Sequence, residues 1–278
     1  MTAASKGGAL SIRHVDKVYD PQGARVVALD DCSAEIQSGE FVAIVGPSGC
    51  GKSTLLNIIA GFDRLTGGEI LLDEAPLATV SIAPRPGPDR VVVFQNGALF
   101  PWMTVLDNVI YGPTRQRTKS IAQAREQGLL MLRHCGGLDT SSDRYPGQLS
   151  SGMQRRVEIV RALMNEPSVL LLDEPFRAMD TLSKSAMHRH LLDIHSLYPK
   201  TVIFITHDLD EAIFLADTVY VMTTRPGRMK RVLSVDLPRP RTALMLASRA
   251  YLDLKREVAE GVHEEARQAF ERGEREMA

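Results

Sequence analysis

Cysteine is scarce in this sequence: Cys32, Cys50 and Cys135 are the only three among 278 residues, far apart and in no CxxC spacing. An odd, scattered set argues against a disulfide framework and fits a reducing compartment. Charge of one sign is also missing. The chain carries 33 Lys and Arg against 34 Asp and Glu, a net charge of -1, with no basic block. Nucleic-acid binders carry a basic face or tail, so no nucleic-acid partner is expected. Long apolar runs are absent too. The runs present, such as Val169–Leu172, are strand-sized, far short of the roughly 20 residues a spanning helix needs. Met1–Gly8 is small and polar, without the apolar centre of a secretory leader. Work at a membrane would require spans from another polypeptide. No internal repeat and no low-complexity segment is present.

What the chain does contain is a succession of short β-rich runs: Leu10–Val15, Arg25–Leu29, Phe41–Val45, Ile70–Asp73, Val91–Phe94, Val169–Leu172, Val202–Ile205 and Val219–Met222. Phe41–Val45, Val91–Phe94, Val169–Leu172 and Val202–Ile205 are apolar throughout, as central strands of a parallel sheet covered on both faces must be. The earlier runs alternate and lie close together, which predicts an antiparallel β layer first. Between Phe94 and Val169 the period becomes helical, with apolar residues three and four apart in Ile121–His134 and Val157–Met164. This predicts a helical insertion between two core strands, over about 96–164. The main domain is expected to span 1–235. Residues 236–278 form a Pro/Arg-rich connector, Leu237–Arg241, and a charged helical tail, Leu244 to Glu274, with one narrow apolar stripe of Leu252, Val258, Val262, Ala266 and Phe270. Such a tail packs on the domain surface or binds a partner.

Chemistry enters at Gly46-Pro47-Ser48-Gly49-Cys50-Gly51-Lys52-Ser53, which matches GxxxxGK[ST] directly after a strand and directly before the helical run Thr54–Ala60. Glycines let the backbone curl so that successive N–H groups point inward, and the helix N-terminus adds partial positive charge. Lys52 would reach the β- and γ-phosphates of a nucleotide, and Ser53 would ligate Mg²⁺. The second half of such a site is an acidic pair ending a buried strand, supplied by Asp173 and Glu174 after Val169–Leu172. Asp173 would hold Mg²⁺ through water, and Glu174 would act as general base on the attacking water. His207 and Gln95 each follow a strand of the same set. His207 is placed for a γ-phosphate contact, Gln95 for the metal or the attacking water. Cys50 sits inside the loop, so its thiol is expected near the nucleotide and shielded from alkylation by ATP.

Leu149-Ser150-Ser151-Gly152-Met153-Gln154-Arg155-Arg156-Val157 resembles the LSGGQ-type signature of ABC ATPases, and it precedes the Asp-Glu strand as in that family. The resemblance runs from Leu10 to about Arg231. It implies an α/β fold with a P-loop NTPase core: a mainly parallel sheet flanked by helices, an N-terminal antiparallel β layer and a helical subdomain insertion. Tyr19 is similar to the aromatic residue that stacks on adenine, Gln95 to the Q-loop, Ala178-Met179-Asp180 to the D-loop and His207 to the switch histidine. The family mechanism implies ATP and Mg²⁺ as ligands and a head-to-tail dimer. In it Ser150, Ser151, Gly152, Met153 and Asp180 of one copy complete the phosphate site of the other.

Two residues depart from the family pattern. Ser151 stands where glycine is usual; if the position needs φ > 0, serine strains it by roughly 1 kcal/mol. Arg177 also replaces a usual glycine, which predicts a stiffer loop or an added ion contact. The absence of fused spans resembles bacterial importers. Leu99–Val109 and Arg225-Pro226-Gly227-Arg228 are similar to ATPases of the nitrate/sulfonate/taurine importer group, although Pro then Gly also suits an ordinary type II turn. These likenesses imply a peripheral subunit on the cytoplasmic face of the inner membrane, with separate permease subunits and, indirectly, an extracytoplasmic solute-binding protein. Phe100 and Trp102 either pack within the helical insertion or form a groove for a permease helix. A soluble ABC ATPase of DNA repair or ribosomes would carry tandem cores, coiled coils or basic segments. A small-molecule kinase would leave the signature and His207 without a role.

Overall fold

The computed structural model describes residues 7–177 and 179–271. Strands β1 (Leu10–Tyr19) and β2 (Val26–Ile36) open the chain, followed by β3 (Phe41–Val45), helix α1 (Lys52–Ala60), β4 (Gly67–Leu72), β5 (Ala75–Thr79) and β6 (Arg90–Val93). Three helices come next: α2 (Val105–Arg115), α3 (Ile121–Gly136) and α4 (Ser151–Leu163). The chain then alternates β7 (Val169–Asp173), α5 (Thr181–Leu197), β8 (Thr201–Ile205), α6 (Leu209–Leu215) and β9 (Thr218–Met222), and ends in β10 (Met229–Ser234) and α7 (Arg249–Glu271).

Two sheets result. An antiparallel layer runs β2-β1-β4-β5, and a six-stranded sheet runs β10-β9-β3-β8-β7-β6. In the larger sheet every neighbouring pair is parallel except β10 with β9. Successive side chains on a strand face opposite ways, and each face has its own core. Val42, Ile44, Val169, Leu171, Ile203 and Ile205 pack with α1 and the antiparallel layer. Phe41, Ala43, Val45, Leu170, Leu172 and Phe204 pack with the helices on the other side. Burial on both faces is why β3, β7 and β8 read as unbroken apolar runs.

The expected fold class holds, with two strands added. β5 and β10 went unread because Ala75-Pro76-Leu77-Ala78-Thr79 and Met229-Lys230-Arg231-Val232-Leu233-Ser234 are edge strands, half-exposed and mixed in polarity. Side-chain oxygens fix the starts of the three helices between β6 and β7: Thr104 accepts from Asp107 N, Ser120 forms a capping box with Gln123, and Ser150 accepts from Met153 N. No helix among the described residues is long and apolar enough to cross a membrane.

The tail stripe is partly corrected. Tyr251 and Val258 are buried, whereas Leu252 is 53% exposed. The side chains of Ala266 and Phe270, and the tail beyond residue 271, lie outside the described residues, as does Ala178.

Candidate nucleotide site

Strand register gathers the site. Ile44 of β3 lies beside Ile205 of β8, Ile205 beside Asp173 of β7, and Leu172 beside Val93 of β6. The segments that follow these strands therefore leave one edge of the parallel sheet together. They carry Gly46, His207, Glu174 and Gln95. Carboxyl ends of parallel strands are where α/β sheets take ligands.

From that edge the chain curls into the phosphate loop. Gly49 (φ 74°) and Gly51 (φ 102°) adopt left-handed backbone that other residues take at a cost. Gly51 caps α1 without any side-chain hydrogen bond. In contrast, Thr104, Ser120, Ser150, Asp180 and Asp208 all cap the helices that follow them with side-chain oxygens. The first N–H groups of a helix have no partner within it, so α1 presents bare donors where an anion fits. The Lys52 ammonium donates to Gly46 O at 2.9 Å and Pro47 O at 2.8 Å, spanning the loop from inside.

The expected alkylation of Cys50 is corrected. Its side chain is 1% exposed and packs in the core beneath the loop, and burial pushes the thiol's pKa up against the opposing pull of Lys52. Cys50 can meet a nucleotide only through its main chain, because its thiol has turned inward to fill space behind the curl.

Ser53 Oγ donates to Asp173 Oδ1 at 3.3 Å. Burial and the neighbouring Glu174 raise the Asp173 carboxyl above its ordinary pKa, although Ser53 and Lys52 pull it down. A hydroxyl beside a carboxylate short of compensating charge is a donor set that suits a hard divalent cation such as Mg²⁺. Glu174 itself has a left-handed φ of 42°, with its N–H held by Ile205 O at 2.9 Å. Its Oε2 meets His207 Nδ1 at 3.4 Å and Arg177 Nη1 at 3.3 Å. The ion contact predicted for Arg177 is thus made with Glu174.

Tyr19 ends β1, an interior strand of the antiparallel layer, and is 39% exposed. Its hydroxyl donates to Asp63 Oδ2 at 2.7 Å, and Lys17 Nζ lies 4.5 Å from its ring centre. Thr54 interacts with the same hydroxyl, so the ring is fixed close to the start of α1.

Not every sequence-predicted residue joins the cluster. Ser150, Ser151, Gly152 and Met153 form the N-terminal tip of α4. Among the described residues, no hydrogen bond or ion pair joins them to the phosphate loop. Ser151 is the first residue of the helix and lacks a positive φ, so the predicted strain is absent. A Cβ at Gly152 would meet nothing within 4 Å. Asp180 caps α5, accepting from Leu182 N at 3.1 Å and Ser183 N at 3.0 Å.

Sequence reasoning missed Arg155 and Glu158. Buried Arg155 donates to Phe94 O (2.6 Å), Gln95 O (2.8 Å) and Glu158 Oε2 (2.7 Å), while Glu158 Oε1 accepts from Ala98 N at 2.6 Å. These residues anchor the Gln95 segment to α4. A charged pair three apart on the core side of an apolar helix face was the available signal. The turn at Arg225–Arg228 is also corrected. Its Arg225–Pro226 peptide is cis, and Gly227 lacks the positive φ of a type II turn. Gly227 is required instead by close approach: its N–H donates to Ala28 O at 2.9 Å, and a Cβ there would overlap Cys50 O.

A sheet edge that gathers bare amides, a lysine and paired carboxylates is suited to the triphosphate of a nucleotide, which places the chain among the phosphate-loop NTPases. Known proteins narrow the class. The family model described as ABC transporter matches residues 29–177. An uncharacterized ABC transporter ATP-binding protein of Methanocaldococcus jannaschii is 43% identical over 84% of both chains. The bicarbonate transport ATP-binding protein CmpD of Synechocystis is 41% identical over 84% of this chain and 80% of its own. The nitrate import ATP-binding protein NrtC of Synechococcus elongatus is 39% identical over 93% of this chain, which spans only 39% of that longer relative. Among solved structures, a dimeric ATP-binding cassette bound to ADP and Pi superposes with a TM-score of 0.69 at 31% identity, covering 82% of this chain and all of that one. The chain belongs to the ABC transporter family, and it is an ATP-binding subunit with ATPase activity.

Proposed function

We propose that the chain is the ATP-hydrolysing subunit of an importer for a small solute, working as a head-to-tail dimer on separate permease subunits. The observation that carries this reading is the division of the site. Gly46–Ser53, Asp173, Glu174 and His207 converge at one sheet edge, while the tip of α4 that would finish the enclosure stands outside that cluster in the same copy. Open space around Gly152 fits an approach by something other than this chain.

In this reading the loop amides and Lys52 bind the β- and γ-phosphates, and Tyr19 stacks on adenine. Ser53, Asp173 and Gln95 hold Mg²⁺, which supplies charge neutralisation of the phosphates. Glu174 takes the proton of the attacking water, and His207 steadies the γ-phosphate. Ser150, Ser151, Gly152, Met153 and Asp180 act across the dimer on the partner's nucleotide. Residues 1–235 are the ATPase domain, with 96–164 as its helical subdomain and 236–278 as an appended connector and tail.

A groove of about 350 Å³ between β6, α2 and α4 is lined by Val91, Phe94, Phe100, Tyr111 and Arg161. Phe100 packs 4.9 Å from the Tyr111 ring and 5.6 Å from Trp102, which is 70% exposed. This groove receives a permease helix, which holds the subunit at the cytoplasmic face of the membrane. Relatives named for nitrate and bicarbonate transport favour a small anion of that kind as cargo, delivered by an extracytoplasmic binding protein.

The test is a pair of variants. Glu174→Gln should bind ATP, stop turning it over and accumulate as a dimer by size-exclusion chromatography. Lys52→Ala should lose ATP binding. A Glu174→Gln protein that stays monomeric with ATP bound would remove the dimer reading. Phe100→Asp should keep nucleotide affinity and lose co-purification with the permease.

A further inference from the structure

The D-loop residue Arg177 has no counterpart in the mechanism above, yet it makes one specific contact. Its Nη1 lies 3.3 Å from Glu174 Oε2. That oxygen is also the one facing His207 Nδ1 at 3.4 Å. A guanidinium is charged at every working pH and only donates, so it competes directly with a water for this carboxylate oxygen. The Glu174 side chain is 16% exposed and the Arg177 side chain 58%. The arginine is thus the more exposed member of the contact, and its other guanidinium nitrogens have no hydrogen-bond or ion-pair partner among the described residues. An ion pair whose cation is this open to water is weak and readily exchanged. A weak contact on a reacting oxygen does little for the fold and much for the chemistry.

We propose that Arg177 is a positioning residue that occupies the Glu174 carboxylate oxygen and so keeps the attacking water from it, so that a lone copy hydrolyses ATP slowly until this contact is released. The inference rests on Glu174 being the base. Two features make release possible. Glu174 is held in a left-handed backbone conformation that non-glycine residues adopt at a cost, and its Oε2 also faces His207 Nδ1 at 3.4 Å, so the carboxylate keeps a second partner when the arginine leaves. Arg177 also lies on the exposed turn between β7 and α5, where an approaching surface can offer its guanidinium another acceptor.

The experiment measures steady-state ATP hydrolysis by the purified full chain with Arg177→Gly, Arg177→Lys, Glu174→Gln and the double variant Glu174→Gln/Arg177→Gly. Arg177→Gly should raise kcat about three- to five-fold with KM for ATP unchanged, the size expected for loss of one exposed pair. Arg177→Lys keeps a charge on a different head and should show at most half of that gain. The double variant should be as inactive as Glu174→Gln, because the arginine acts only through the carboxylate. A kcat for Arg177→Gly at or below the parent value overturns the proposal, as does a change confined to KM. Full activity in Glu174→Gln alone would instead show that Glu174 is not the base, a failure of the underlying reading that the single Arg177 variants cannot mimic.

Discussion

The phosphate loop and the C-terminal helix α7 both reach the same short turn, residues 223–228, and they do so by different means. The loop meets it through main chain. Gly227 lies against Cys50 O, and β2 pins it there, its N–H donating to Ala28 O and its carbonyl accepting from Asp30 N at 3.1 Å. The helix meets it through charged side chains. Glu265, buried, accepts from Thr224 N at 2.8 Å and from Lys230 Nζ at 2.6 Å, and Glu264 takes the same lysine at 2.7 Å. Further along, Tyr251 OH and Lys255 Nζ both bind Asp210, two residues past the cap of α6. Backbone packing tolerates no added atom, whereas an ion-pair network loses strength one partner at a time. The first kind of contact should fail abruptly and the second by degrees.

Gly227→Ala should have the largest effect. A Cβ there overlaps Cys50 O and comes 2.8 Å from Met222 Cε, so the loop or the turn must shift. We expect a stability loss of about 1–3 kcal/mol from overpacking, together with ATP affinity reduced more than tenfold, by thermal denaturation and nucleotide titration. Glu265→Ala removes a buried acceptor from Thr224 and Lys230 and should cost about 1–3 kcal/mol, with ATP affinity within threefold of the parent. A tenfold loss of affinity there would mean that α7 acts on the phosphate loop as firmly as Gly227 does.

Tyr251→Phe should cost about 1–2 kcal/mol, and its pH dependence sharpens the contrast. Burial pushes the Asp210 carboxyl up, but hydrogen bonds from Lys255 and Tyr251 outweigh it and hold its pKa below the usual value. A depressed carboxyl stabilises the fold above its unfolded pKa and loses that contribution as pH falls through the folded one. The difference in melting temperature between parent and Tyr251→Phe should therefore be full at neutral pH and shrink below about pH 4. A difference that grows on acidification would contradict the assigned ion pairing. Lys255→Ala, at an exposed pair, should cost no more than about 1 kcal/mol.

The same contrast explains what could be read from sequence. Gly46–Ser53 is legible because phosphate binding fixes glycine, lysine and serine within one contiguous stretch, and the buried runs of β3, β7 and β8 are legible because both faces demand apolar residues. Asp173 and Glu174 follow from their place at the end of such a run. The strands β5 and β10 are less legible, since an edge strand can be polar on its outer side. Arg155 reaching Gln95, Arg177 reaching Glu174 and Glu265 reaching Thr224 depend on which side chains the fold brings together. The α7 stripe shows the limit well: Tyr251 lies seven residues before buried Val258 and shares its helix face, with its polar hydroxyl satisfied by Asp210, whereas Leu252 falls on the neighbouring, exposed face.

One more consequence follows from α4. Arg155, Glu158 and Arg161 recur every three residues and grip successive points of a single strip, at Phe94 and Gln95, at Ala98 N, and at Ala98 O with the Phe100 ring. The strip therefore cannot slide independently of the helix. Phe100, Ala98 and Gln95 are thus all tied to one face of the helix whose N-terminal cap is Ser150, so a displacement of any of them relative to α4 would have to break buried charged contacts.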